Sequence, residues 1–316
     1  MAFSSDKTRQ AAAGAGGGGA EGFFPGGNAS LNKIIGVSFA SSGYAEDWGG
    51  MTQGRSGYGS SSTSTHGYQA GGSIGSGVHY NIIDRFSFAT SGNSTDVGDL
   101  TLTRSGTSGA QSSTKGFTAG GSAGYATFTY NVIDAFTFAS SSNATDWGDT
   151  LNLQGCSGGN GWSGIGFSST IAVIFGGYQP CGGSWYNTNV ISKFSMASSS
   201  NASSWGTMSS SGGSSEAANT SAYTYSIAGT FANVWRVAFS SGGAASSWCN
   251  LYTYPGGGCG VTYSGDNVLL SRYTSNTANS VDKFSMASTS TATNWGDLTD
   301  VPMTGFEGHG TLKMDV

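Results

Sequence analysis

Six times along the chain an aromatic or Met residue is followed, nine positions later, by a Trp or its substitute. The leading residues are Phe39, Phe88, Phe138, Met196, Phe239 and Met286, and their partners are Trp48, Val97, Trp147, Trp205, Trp248 and Trp295. The clearest copy runs from Ile133 to Asp149, IDAFTFASSSNATDWGD. An apolar stretch carrying Ile133, Phe136 and Phe138 enters a polar turn, and Trp-Gly-Asp opens the next strand. Successive Trp positions lie 49, 50, 58, 43 and 47 residues apart. Periods of this size, with several short strands per copy, mean propeller blades.

Each unit has a second half. Gly67 to Gly72 (GYQAGG) returns as Gly116 to Gly121 (GFTAGG), and more loosely as Ile174 to Gly177. A short aromatic strand that ends in Gly-Gly lets the backbone turn where a Cβ would clash. Arg55 and Arg104 both stand seven residues after the Trp position. Near the start, Gly22 to Gly27 matches the Gly-Gly strand but lacks the strand that should precede it. Near the end, residues of about 308–316 have the length of one inner strand. The expectation is that this last strand completes the first blade, closing six blades by pairing of N- and C-terminal strands and removing an exposed edge. Residues 1–20 are polar, then Ala/Gly-rich, without periodicity. Of a flexible tail and an extended docking arm, the arm is the favoured reading.

Composition narrows the function classes. The chain has 316 residues, of which 54 are Gly, with 9% charged and 12% aromatic residues. Many aromatics with little charge argue against disorder. A net charge of −5 offers no basic surface for nucleic acid. No apolar run reaches the length of a membrane span, and the first residues lack the apolar core of a signal peptide. No CxxC, GxSxG elbow, phosphate loop or metal-ligand cluster is present, so no catalytic, cofactor-binding or metal residue is assigned. Low charge and Ser/Gly richness resemble a particle-surface or extracellular protein.

Recurrence separates scaffold from site. Asp84, Asp134 and Asp282 recur at one position of the aromatic strand, and Asp99, Asp149 and Asp297 in repeated Gly-Asp positions. Repeated carboxylates imply turn or inter-blade hydrogen bonds rather than one paired-carboxylate site. The sequons at Asn93, Asn143 and Asn201 recur in the turn, and read as turn chemistry before glycosylation. Trp48, Trp147, Trp205, Trp248 and Trp295 are expected to pack between blades, with the indole N–H on a backbone acceptor.

What breaks the repeat is the 58-residue step. It holds Trp162, Tyr178, Trp185 and Tyr186, out of phase with the blades, beside Asn187. Exposed aromatics beside Asn suit either a neighbouring-subunit contact, which ranks first here, or a sugar face. Cys156 and Cys181 would meet on one face of the disc, as a disulfide or as two buried thiols. Cys249 and Cys259 flank LYTYPGGG, a loop that a disulfide would close.

The order Gly-Gly, polar loop, aromatic strand, Trp and Arg resembles the kelch-like β-propeller family over roughly residues 21–316. The chain departs from it in Phe for the usual Tyr, in weak Gly-Gly pairs in the fourth and fifth units, and at Val97. The opening MAFSSDKTRQAAAGAGG looks like a segment shared by structural proteins of marine tailed phages, and IDxFSFAxxxNATDWGDL resembles repeats of cyanophage-type virion proteins. The resemblance implies a non-enzymatic virion protein on the particle surface, made in the host cytoplasm. Residues 1–20 would dock on other virion proteins, and an oligomeric propeller would face outward as a tail fibre or spike binding host glycans. The alternatives are a capsid decoration or head-fibre protein, a polysaccharide-degrading propeller enzyme, and a bacterial surface protein.

Overall fold

The computed structural model describes residues 21–26, 32–39, 46–74, 77–123, 130–151, 163–181, 184–209, 216–227, 233–251, 260–271, 280–297 and 311–313. Among them there is no helix, and the strands form seven sheets, six of them arranged as the blades of a β-propeller. Blade one comprises β1 (Glu21–Pro25), β2 (Lys33–Ser38) and β3 (Glu46–Gly50). Blade two follows as β4 (Gly59–Ser62), β5 (His66–Ala70), β6 (Ile82–Ser87) and β7 (Thr95–Asp99). Blade three is β8 (Ser108–Gln111), β9 (Lys115–Ala119), β10 (Val132–Thr137) and β11 (Thr145–Asp149). Blade four begins with β12 (Gly164–Phe167) and β13 (Ile171–Phe175). A separate ribbon, β14 (Tyr178–Cys181) with β15 (Ser184–Asn187), precedes its β16 (Val190–Ser195) and β17 (Ser203–Thr207). Blade five holds β18 (Glu216–Asn219), β19 (Tyr223–Ile227), β20 (Asn233–Ala238) and β22 (Ser246–Asn250), while the short β21 (Gly243–Ala244) joins the sheet of blade four beside β17. Blade six is β23 (Gly260–Ser264), β24 (Asn267–Ser271), β25 (Ser280–Ser285) and β26 (Thr293–Asp297), and β27 (Thr311–Lys313) joins its sheet.

The nine-residue offset has a geometric cause. Between the third and outermost strands of each complete blade the ladder skips one residue, and that residue is always the Trp position. In blade three Ile133 pairs with Gly148 and Asp134 with Asp146, so Trp147 is the extra residue. The same skip isolates Trp48, Val97, Trp205, Trp248 and Trp295. A β-bulge re-aims the side chain it frees, here onto the neighbouring blade. The Nε1–H of Trp48, Trp147 and Trp295 donates to the carbonyls of Ser87, Ser195 and Ser38, at 2.8, 2.8 and 3.0 Å. Trp205 and Trp248 occupy the same bulge without an acceptor for the indole N–H.

The buried apolar residues fall into six clusters, one for each junction between blades. Phe23, Ile34 and Met51 of blade one meet Tyr58, Phe86 and Phe88 of blade two. Tyr68, Ile83 and Leu100 meet Phe136 and Ala144 at the next junction. The ring closes where Leu269, Val281 and Trp295 of blade six pack on Phe24, Ile35, Val37 and Phe39 of blade one.

The described part of the expected closing strand is β27. β27 pairs in parallel with β23 of blade six, Val261 to Thr311 through Tyr263 to Lys313, and not with β1. It also lies against β4 and β18, near the propeller axis. Among the described residues, blades one and six meet through side-chain packing. The Trp295 bond to Ser38 and a Lys283 Nζ bond to the Phe39 carbonyl, at 3.1 Å, reinforce it.

Candidate functional site

The recurring polar residues are inter-blade fasteners. Arg55, entering blade two, forms a fully buried ion pair with Asp84 at 2.9 Å. Its Nε and Nη2 also donate to the Gly71 and Gln69 carbonyls, at 2.7 and 3.3 Å. The Thr52 backbone N–H and hydroxyl bind the same carboxylate. One blade on, Arg104 pairs with buried Asp134 at 3.1 Å, again beside a Thr, Thr101. Here only Nη2 is engaged, on Asp134 and the Thr118 carbonyl, while Nε and Nη1 have no partner. Burial pulls the Arg104 pKa below its ordinary value, against the opposing pull of Asp134. A buried pair of this kind fixes the mutual position of two elements more surely than it adds stability.

The sequon asparagines clamp the outermost strand of the preceding blade. Asn143 Oδ1 accepts the Asp99 N–H at 3.1 Å, and the next residue, Ala144, returns its own N–H to the Asp99 carbonyl at 2.7 Å. Asn201 with Ala202 grips Asp149 in the same way, and Asn93 with Ser94 grips Gly50. At Gly148, φ is +149°, and a Cβ there would lie 2.5 Å from the Ser200 carbonyl oxygen. The close approach behind the clamp thus requires glycine in Trp-Gly-Asp.

The axis is filled. β4, β8, β12 and β18 are buried along their length, apart from half-buried Gly109, and they pack on one another. Successive inner strands are tied by side chains around the axis. The Ser62 N–H binds Gln111 Oε1 at 2.5 Å, and the Ser108 hydroxyl binds the Ser163 carbonyl. The Phe167 N–H binds Asn219 Oδ1 at 2.9 Å, and Asn219 Nδ2 binds the Tyr263 hydroxyl at 2.7 Å. Among the described residues, small side chains and mutual hydrogen bonds hold the inner strands together around the axis.

Among the described residues, titratable groups outside the repeat do not assemble into a reactive constellation. His79 Nδ1 lies 3.0 Å from the Ser105 hydroxyl, but Ser105 is buried and is laddered to Ser122. Burial holds His79 below its usual pKa. Among the described residues, no group of three His, Cys, Asp or Glu is placed to hold a metal ion. No helix of the described residues is long and apolar enough to cross a membrane.

Among the described residues, the 58-residue step supplies the one strand pair that is not part of a blade. β14 and β15 are antiparallel, with Tyr178 opposite Asn187, Gln179 opposite Tyr186, Pro180 opposite Trp185 and Cys181 opposite Ser184. Four of the five out-of-phase residues thus share one ribbon. Trp162 and Cys156 lie outside the described residues, as does Cys259. Cys249 is a free, buried thiol within the cluster between blades five and six. Cys259, with which the sequence allows a loop-closing disulfide, is not among the described residues, and Cys249 faces the core. Burial pushes its pKa up to about 11.

A second set of contacts had no signature in the repeat alignment. Lys193, Arg236 and Lys283, each one residue before the strand's Phe or Val, stack on Trp205, Trp248 and Trp295 at 3.4, 3.9 and 3.8 Å. The signal was the cation itself, rare in this chain and repeated at one position in three blades. The arrangement, a closed disc with a filled axis and one aromatic ribbon, is consistent with a kelch-like propeller. No protein-family model and no curated protein matches the chain.

Proposed function

We propose that the chain is a non-enzymatic structural protein of a bacteriophage particle, displayed on the virion surface to attach to host glycans as part of a tail fibre or spike. The observation that carries this reading is the ribbon β14–β15. It sets Tyr178, Trp185, Tyr186 and Asn187 on a pair of strands that blade packing does not need. A sugar ring stacks its apolar face on an aromatic side chain, while an amide holds its hydroxyls. A rigid propeller is a suitable carrier for such a loop, and several copies on one particle would add avidity to weak single contacts. Residues 1–20 dock on other virion proteins, in keeping with the opening segment's resemblance to phage structural proteins. The filled axis supports the non-enzymatic reading, because propeller chemistry needs an open mouth with convergent polar groups.

The test is binding of the purified protein to host cells and to polysaccharide extracted from them. Binding should be competed by the free glycan, and Trp185→Ala should weaken it by at least ~10-fold. Deleting residues 1–10 should remove the protein from particles without changing glycan binding. A protein that ignores cells and glycan, yet appears in an electron-microscopy map on the capsid lattice, is a decoration or head-fibre protein. Release of reducing ends from host polysaccharide would establish the enzyme instead.

A further inference from the structure

Of the five indoles at the bulges, four are covered by a cation. Lys193, Arg236 and Lys283 lie over Trp205, Trp248 and Trp295 at 3.4, 3.9 and 3.8 Å. In blade three the same strand position is Ala135, and Lys115 of the second strand reaches Trp147 instead, at 5.1 Å. Blade two keeps the cation, Arg85, but has Val97 in place of the ring. Blade one has the ring and neither cation. Register puts Gly36 at the station of Lys193, and Glu21 at that of Lys115. Among the described residues, no cation lies over the half-buried Trp48 ring, whose aromatic contact is T-shaped, with Phe23 at 5.0 Å.

We infer that the Trp48 ring is a docking point for a lysine or arginine side chain supplied by a partner protein. The sister blades define the occupant. An indole face attracts ammonium and guanidinium groups, and four rings of this chain, each in the same bulge, hold one. Gly36 leaves room for it: a Cβ there would lie 3.5 Å from Phe23 Cε1 and 3.6 Å from Trp48 Cε3, so the station adjoins the ring and admits a side chain. Charge agrees. Asp47, next to the ring in sequence, is exposed in a surface pair with Lys33 at 3.1 Å, and Glu46 stands opposite Gly36 in the ladder. Along the same rim β7 carries Asp96 and Asp99, and β11 carries Asp146 and Asp149, none of them buried, whereas β17 and β22 carry no carboxylate. Acids on three successive blades around one uncovered ring complement a basic segment. One cation on one ring is a weak contact, so Trp48 acts as the anchor of a wider interface whose carboxylates orient the encounter. The site is separate from the ribbon of blade four and does not rest on the glycan reading.

Magnetic resonance on the full chain, isotope-labelled at the indole nitrogens and titrated with a peptide of alternating lysine and glycine, tests it. The Trp48 indole resonance should shift on binding, and a peptide with norleucine in place of lysine should leave it unmoved. Trp48→Leu should weaken binding about 3- to 10-fold. Gly36→Lys, which covers the ring from within as Lys193 covers Trp205, should abolish the Trp48 response, and it decides the matter should Trp48→Leu fail to fold. Lys115→Ala uncovers Trp147 and should make a second indole respond. Equal binding by the unsubstituted chain, Trp48→Leu and Gly36→Lys would mean that carboxylates alone hold the peptide, and would overturn the inference. So would an equal response to the norleucine peptide, or no response to the lysine peptide. A Trp48 shift that grows with protein concentration in the absence of peptide would overturn it as well, since a second copy would then be the occupant.

Discussion

The junction between blades two and three and the junction between blades four and five share one backbone stitch but not their side chains. In both, a small residue of the later blade donates its N–H to the outermost strand of the earlier one: Ala144 to Asp99 at 2.7 Å, and Ala245 to Thr207 at 2.8 Å. The first junction adds a buried Arg104–Asp134 pair and the Asn143 clamp. The second has neither among the described residues. β21 lies in parallel along β17, Gly242 packs against the Trp205 ring, and Lys193 covers that ring. Apolar residues Val173, Phe175, Ile191 and Trp235 fill the interior instead. The bulge and the stitch are therefore the invariant part of the blade, and the polar fasteners are one of two ways to lock it.

The sharpest way to break the comparison is to remove one charge. Asp84→Ala leaves Arg55 fully buried and uncompensated, and should cost about 3–5 kcal/mol in chemical denaturation. Ser192, which stands in blade four where Asp84 stands in blade two, is also buried but carries no charge. Ser192→Ala should change stability by less than about 1 kcal/mol, because its hydroxyl has no partner to lose. Replacing both partners separates the two ion pairs. Arg104→Met with Asp134→Leu should be neutral or stabilising, since it also removes two unpartnered N–H groups. Arg55→Met with Asp84→Leu should remain a net loss, since it strips bonds from the Gly71 and Gln69 carbonyls and from Thr52.

Next in size is the backbone contact behind the clamp. Gly148→Ala must abandon φ +149° or collide with the Ser200 carbonyl, and should cost on the order of 1–3 kcal/mol. Gly243, also at positive φ, has open space around its missing Cβ, so Gly243→Ala meets only the conformational part of that cost. A difference in melting temperature between the two variants measures the blade-to-blade contact alone.

How much of this was legible in the sequence depends on whether a residue's role repeats. The offset from Phe138 to Trp147 exposed the bulge because every blade needs it, and the recurrence of Asp84 and Asp134 marked them as scaffold. Val97 shows the rule from the other side: it keeps the bulge without a ring, and Arg85, with no indole to cover in its own blade, lies by Tyr68, whose pKa burial raises against the opposing pull of the Arg85 charge. The parallel pairing of β27 was not legible, because a three-residue strand carries too little pattern to choose between two edges. The ribbon was visible only as a break in phase, since cross-strand pairing of Tyr178 with Asn187 depends on a turn that no other blade has. The free state of Cys249 was hidden for a similar reason: spacing to Cys259 says nothing about which way a strand residue faces. Because burial raises its pKa from 9.0 to about 11, the thiol contributes stability that is fully present below pH 9 and lost as pH rises toward 11. At pH 8 its thiolate fraction, and hence its alkylation rate, should be about 100-fold below that of an unburied thiol until the chain unfolds.

The smallest effects lie in the indole N–H and the cation above it, and they sharpen the comparison most. Trp147→Phe gives up the bond to the Ser195 carbonyl and should cost about 1 kcal/mol beyond the loss of ring area. Trp205→Phe loses the same area but releases a buried N–H that has no acceptor, so the two variants should differ by roughly that amount. The cations should rank the other way. Lys193 Nζ sits 3.4 Å from the Trp205 ring, whereas Lys115 stands 5.1 Å from Trp147. Lys193→Met should therefore cost about 0.5–1 kcal/mol, and Lys115→Met less. A double-mutant cycle of Lys193→Met with Trp205→Leu isolates the pair, and its coupling energy should survive in 0.5 M salt because the ring shields one side of the charge. If the coupling disappears with salt, the lysine is held by distant carboxylates, and the aromatic lock on the fourth blade is packing alone.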